Sequence, residues 1–340
     1  MLGKSLRWAG RERRPRPSWG AGRLRDFRVK KGSSMGYMRV LRAFGVWLGE
    51  QEENPQPSEE EKVDELGERF IEYVYVTGRP GYLATQLTAA LQWKFPNLVR
   101  GEGGGLPLSH AAASGFKKMT AEESSSYPPL AREIVLALAA VLWGWGREME
   151  AVAALLSFNC YLRTEELMKL KWANVMLPGD ARMTVGKWPS LTIVDAKSGP
   201  LQSVTITDPL VLELMVRHKA KFGFKGGSKV FSGLNGDKGR RWLYAALNQL
   251  GISEHEYVWH SFRKGAAMTD SVTKVLSFEQ IMERGRWASR KSCKLYIAKA
   301  KDDLAGGLPW GHREGIMEIA RAHHGTLFGM PSSIARFARL

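Results

Sequence analysis

The sequence is poor in cysteine, in acidic side chains and in long apolar runs. Cys160 and Cys293 are the two cysteines among 340 residues. They are too few for a disulfide framework or a four-cysteine zinc site, and they suit a reducing compartment. No run of about 18 uncharged apolar residues occurs. The longest, residues 134–145, is followed by Arg147 and Glu148, so neither a transmembrane helix nor a membrane partner is expected. The first residues are basic but lack the apolar core and small-residue cleavage site of a secretory signal. Acidic residues number 34 against 50 Lys and Arg, a net charge of +16. Such an excess favours a polyanionic partner without naming one. With 44% hydrophobic and 25% charged residues, the chain is globular in composition and about two domains long.

The charge is concentrated at one end. Residues 1–31 hold eleven Lys or Arg against Glu12 and Asp26, a net +9. Pro15, Pro17 and several glycines interrupt any helical period, so residues 1–34 read as a flexible basic arm. Arg7, Arg11, Arg13, Arg14, Lys30 and Lys31 are its candidate phosphate contacts; the arm could also serve as a nuclear address. Met35 and Met38 offer alternative starts, which would make the arm an upstream coding artefact.

Residues 35–119 read as a small helical domain. Helices are expected over Met35–Glu50, over Ser58–Thr77 with a Ser58/Glu61 capping box, over Tyr82–Phe95, and over Leu108–Met119. Residues 120–129 are polar, serine-rich and end in Pro-Pro, a linker signature. Residues 130–304 form a second domain and 305–340 a tail. In the second domain, helices are expected over Leu130–Trp145, Glu148–Tyr161 and Arg163–Val175. The period then changes. Ser190–Val194 and Gln202–Thr207 alternate in the manner of a hairpin, with residues 195–200 between them. A helix over Pro209–Phe222, a short strand over Lys229–Ser232 and helices over Lys238–Leu250, from Trp259, over Ser277–Gly285 and over Ser289–Lys301 follow. The fold class is mostly α with a small antiparallel sheet, α+β.

Six positions in the second domain share one chemical logic. Arg163 lies where a long apolar helix gives way to a polar one. Lys197 is at the hairpin tip. His260 and Arg263 are spaced i, i+3, on one helical face. Trp287 follows Gly285-Arg286, and Tyr296 comes nine residues later. Two arginines can hold the non-bridging oxygens of a phosphate and neutralise charge growing in a pentavalent transition state. A lysine can protonate a leaving alkoxide, and a histidine can bind the phosphate or take a proton. The indole N–H suits a phosphate oxygen. Nearby cations make a tyrosine hydroxyl a better nucleophile. No carboxylate cluster is needed, so no metal is implied. Taken singly, each residue reads far more readily as a core, surface or salt-bridge residue than as a catalytic one; order and spacing together distinguish the set.

These residues resemble the tyrosine recombinase and integrase family. Asn159 to Val175 matches the box around the family's first arginine, with Tyr161 where the family has glycine before Leu-Arg. His260-Ser261-Phe262-Arg263 matches its His-x-x-Arg box. Trp287 and Tyr296 match the His-or-Trp and nucleophile pair, with Arg286 inserted between Gly285 and Trp287. Lys197 matches the hairpin lysine. The style around these boxes is similar to eukaryotic Crypton-like transposon recombinases.

The resemblance implies a helical core-binding domain and a catalytic domain clamping double-stranded DNA. It implies Arg163, Lys197, His260, Arg263, Trp287 and Tyr296 as catalytic residues, with Lys264 and Arg290 as added DNA contacts. The reaction is cutting and rejoining through a 3′-phosphotyrosine, without cofactor, metal or ATP, by a homotetramer on paired sites. The tail after Pro309 is either a helix donated to a neighbouring subunit or an ordinary packing helix. A type IB topoisomerase-like relaxing enzyme and a non-catalytic DNA-binding relic of a mobile element are the alternatives. The location implied is the nucleus in a eukaryote, otherwise cytoplasm or nucleoid.

Overall fold

The computed structural model describes residues 29, 31–99, 105–120, 127–183, 187–196, 199–222, 227–252, 257–294, 297–298, 314–316 and 318. The chain divides into two compact units, 1–125 and 126–340. No described helix is long and apolar enough to cross a membrane.

The first unit contains α1 (Lys31–Glu50), α2 (Glu60–Val76), α3 (Tyr82–Lys94) and α4 (Pro107–Met119). Apolar residues at helical spacing, such as Val40, Phe44 and Trp47, meet Phe70, Val74 and Leu87 in one core. Phe44 and Trp47 both pack edge-on to Phe70. A buried carboxylate pins α4 to α2. Asp64 accepts from the Leu108 and Ser109 amides, each at 2.8 Å, at a helix N-terminus whose amides lack intrahelical partners. Gly67 leaves room for the Ser109 hydroxyl.

Two expectations change here. Helix α1 starts at Lys31, four residues before the Met35 expected. The Ser58/Glu61 capping box does not form. Helix α2 starts at Glu60, and the preceding Glu59 turns its carboxylate back to the Gln56 amide at 2.5 Å.

The second unit runs α5 (Arg132–Gly144), α6 (Glu148–Asn159), α7 (Thr164–Lys169), β1 (Val175–Met176), β2 (Ser190–Ala196), β3 (Gly199–Thr205), α8 (Pro209–Phe222), α9 (Gly236–Gln249), α10 (His260–Thr273) and α11 (Phe278–Gly285). The sheet is antiparallel in the order β1-β2-β3. Leu191, Ile193 and Val204 turn one face of it into the core shared with α5, α6 and α8. The result is the mostly α, small-sheet α+β fold that the sequence implied.

Three local readings are corrected. The helix expected over Arg163–Val175 ends at Lys169, because Leu170 accepts from Val230 N and Trp172 donates to Ser228 O. The strand expected over Lys229–Ser232 is a single bridge from Lys229 to Lys171 followed by a turn. The hairpin zips further than expected, through Asp195–Pro200 and Ala196–Gly199 pairs.

Candidate active site

The site is assembled from three turns of the second unit. The first joins α6 to α7. Tyr161 adopts φ +50°, a left-handed conformation that L side chains seldom take. It reverses the chain so that Leu162 is buried and Arg163 becomes the N-cap residue of α7. The second turn is the start of α10, where His260 and Arg263 occupy one face. The third ends α11. There Arg286, at φ +57°, is the C-cap and Trp287 N donates to Met282 O. Gly285 is required beneath Trp287, because a Cβ there would overlap the indole ring.

Hydrogen bonds tie these turns together. Arg263 is 1% exposed. Its Nη1 donates to Tyr161 O at 2.6 Å and its Nη2 to Gly285 O. Its guanidinium carbon lies 4.5 Å from the centre of the Trp287 ring, a cation–π contact. Trp287 packs edge-on to Tyr161, whose hydroxyl donates to Asp270 at 2.5 Å.

Arg163 is more open, with 24% of its side chain exposed. Its Nη1 and backbone amide donate to the two oxygens of Glu166 at 2.6 and 2.9 Å. Glu166 also accepts from Arg286 Nη2 at 2.7 Å. Burial opposes the Glu166 charge, but Arg286 and Arg163 outweigh it and hold the carboxyl below its usual range.

His260 keeps part of its surface open to solvent. Displacement of water from the rest, then repulsion by Arg263, Arg163 and Lys264, pushes its pKa down to about 4. It is a neutral imidazole at pH 7, able to accept one proton or to donate one hydrogen bond. Arg163, His260, Arg263 and Trp287 are therefore brought to one place: an open cation, a neutral imidazole, a buried cation and an indole.

Lys197 and Tyr296 lie outside the described residues, as do Arg7, Arg11, Arg13, Arg14 and Lys30, and so does the Lys31 side chain. On either side of position 296, Cys293 and Ile297 are buried in one small cluster with Tyr161, Ala266 and Ile281, against which Trp287 packs. Burial raises both cysteine thiols, Cys160 to about 12. Arg290 is exposed, paired with Glu279 at 3.0 Å. Lys264 is not the exposed contact expected of it. It is 4% exposed and donates to Tyr127 O at 3.0 Å, because the adjacent Gly265 packs directly on Leu130.

Sequence reasoning passed over Glu166 and Arg286 as site residues. Arg286 read as an insertion, and no local signal marks its partner, which lies 120 residues away.

No family model matches the sequence, and no curated protein matches it. Solved structures do. The Tn1549 transposon integrase in complex with transposon right end DNA is similar with a TM-score of 0.54 at 11% identity, covering 82% of this chain and 95% of that one. A lambda integrase dimer bound to a COC′ core site gives a TM-score of 0.54 at 16% identity, covering 83% and 92%. The chain has the tyrosine recombinase fold. In that fold the four residues assembled here occupy the second unit alone, 126–340. The recombinase-like boxes read from the sequence thus coincide with the three turns that build the site.

Proposed function

We propose that this chain is a DNA strand transferase of the tyrosine recombinase type, cutting and rejoining duplex DNA through a 3′-phosphotyrosine. The observation that carries this reading is the convergence of Arg163, His260, Arg263 and Trp287 in a recombinase fold. The similar integrases were solved with transposon end DNA and with a core site.

In this reading the Tyr296 oxygen attacks the scissile phosphorus. A new P–O bond forms, the bond to the 5′ oxygen breaks, and the departing oxygen takes a proton from Lys197. Neutral His260 accepts the phenolic proton. Arg163 contacts the non-bridging oxygens from its open side. Arg263 stabilises the same charge from below, where low dielectric strengthens it. Trp287 fixes Arg263 and offers its N–H to the phosphate. The ester keeps the bond energy, so a 5′-hydroxyl of a partner strand reverses the attack without ATP, in a homotetramer on paired sites.

The test is trapping on nicked suicide duplexes. The wild-type chain is expected to form a covalent adduct, and Tyr296→Phe to bind DNA without one. An adduct in the Phe variant, or none in the wild type, overturns the reading. Relaxation of supercoiled DNA without strand exchange would replace it with a topoisomerase-like activity.

A further inference from the structure

The Arg286–Glu166 pair is buried on both sides, with 3% and 4% of the side chains exposed. Burying two charges costs desolvation that the pair seldom recovers, so stability alone does not account for it. Arg286 also occupies a left-handed backbone position that glycine would fill without strain. Its Nη2 donates to Glu166 Oε2 and to Tyr161 O at 2.9 Å, its Nη1 to Arg284 O at 3.1 Å and Cys160 O at 3.3 Å, while its Nε has no partner among the described residues. Three of these four partners, Glu166, Tyr161 and Cys160, belong to the turn that presents Arg163 and the α7 helix it opens, and the fourth, Arg284 O, lies at the end of α11.

The charge count at this turn is informative. Glu166 is shared between Arg163 on its open side and Arg286 on its buried side. Were Arg163 its sole partner, the carboxylate would neutralise the very cation offered to a phosphate. With Arg286 behind it, the trio carries a net +1. One carboxylate can then orient Arg163 without cancelling it. Arg286 Nη2 and the Arg163 amide both hold Glu166 Oε2, which leaves Oε1 to Arg163 Nη1.

We propose that Arg286 is a positioning residue. It counter-charges and orients Glu166, so that Arg163 is held in place yet stays electrostatically available to a phosphodiester. This rests on the strand-transfer reading above.

The experiment compares Arg286→Gln, Arg286→Lys and the double variant Glu166→Gln/Arg286→Gln in the full chain. Single-turnover cleavage of the suicide duplex is measured per folded molecule, with duplex affinity alongside. The 15N signals of the Arg163 guanidinium give a readout independent of activity. Arg286→Gln is expected to lose roughly 10- to 100-fold in cleavage rate, the scale on which losing the support of a site residue acts. Affinity should change less than about threefold, since Arg286 itself touches no phosphate. The Arg163 Nη signals should broaden as its hold loosens. Arg286→Lys, which keeps the charge, should recover part of the rate.

Should Arg286→Gln not fold, the double variant leaves no unpaired buried charge and restores the net +1. It should cleave within about tenfold of wild type. A folded Arg286→Gln cleaving at the wild-type rate with unchanged Arg163 signals overturns the proposal. So does Arg286→Lys losing as much as Arg286→Gln, or a folded double variant losing more than about 100-fold. A wild-type chain that forms no adduct refutes the strand-transfer reading instead. In that case the Arg163 signals still decide the positioning role.

Discussion

The backbone carbonyl of Tyr161 accepts a hydrogen bond from Arg263 Nη1 at 2.6 Å, across 102 residues of sequence. The left-handed backbone at Tyr161 turns this carbonyl towards the arginines. A tyrosine there bears about 1–2 kcal/mol of strain that glycine avoids. The ring compensates: it is 1% exposed, packs on Trp287 and hydrogen-bonds Asp270 through its hydroxyl.

Tyr161→Gly should therefore destabilise the second unit despite relieving the backbone. Losing a large buried aromatic costs about 3–5 kcal/mol, so the net loss should be about 1–4 kcal/mol. Tyr161→Phe removes only the hydroxyl bond and should cost about 1 kcal/mol. Urea unfolding of both variants measures this. A glycine variant as stable as the wild type would mean that the buried ring contributes no more than the strain it imposes on the backbone.

Two glycines separate local from global effects. At Gly285 an added Cβ overlaps the movable Trp287 ring, whereas at Gly265 it overlaps the Leu130 backbone. Gly285→Ala should fold, displace Trp287 from Arg263 and slow single-turnover cleavage while duplex binding persists. Gly265→Ala should lose several kcal/mol of stability, the result expected when a packed backbone must move. Equal melting temperatures for the two variants would contradict this division.

The sequence made local structure legible where the signal is local. Pro209 at N1 and an apolar stripe delimit α8 at both ends. It failed where distant pairings decide. Leu170 and Trp172 continue a helical pattern, yet hydrogen bonds to Val230 and Ser228 hold Leu170 and Lys171 extended before a short 3-10 turn over Trp172–Asn174. The site divides the same way. Arg163, His260, Arg263 and Trp287 stand in local boxes that can be read one at a time. Arg286 acquires meaning only through Glu166, 120 residues away. Lys264 looked like a surface cation because burial against Leu130 leaves no mark at its own position.

Acid should weaken the fold through its histidines. In the folded chain His260 stays neutral down to about 4, against an ordinary value of 6.5. Between these values the unfolded chain binds the proton and the folded chain does not. Stability is therefore complete above the unfolded value and falls as pH drops through this window. His218, lowered by burial, acts in the same direction. His260→Gln should shrink the loss in urea midpoint between about pH 7 and about pH 4 without abolishing it. An unchanged pH dependence would mean that His260 titrates normally.

The basic arm supplies the last prediction, which follows from the proposed DNA partner. Residues 1–28 hold nine Lys or Arg against Glu12 and Asp26, a net +7. Cutting at 28 leaves α1, which begins at Lys31, intact. Phosphate contacts made by such a segment carry no sequence information, and each adds about 0.9 to the slope of log affinity against log salt. Deletion should flatten that slope and weaken specific and random duplexes alike. Cleavage at saturating DNA should persist, because Arg163 and every other proposed catalytic residue lie far beyond the cut. The melting temperature should hardly move, since the first unit draws its buried core from Val40 onwards. Salt titrations and melting curves on the two proteins decide it. An unchanged slope removes the arm from the DNA interface, and a large fall in melting temperature would make residues 1–28 part of the first unit's fold.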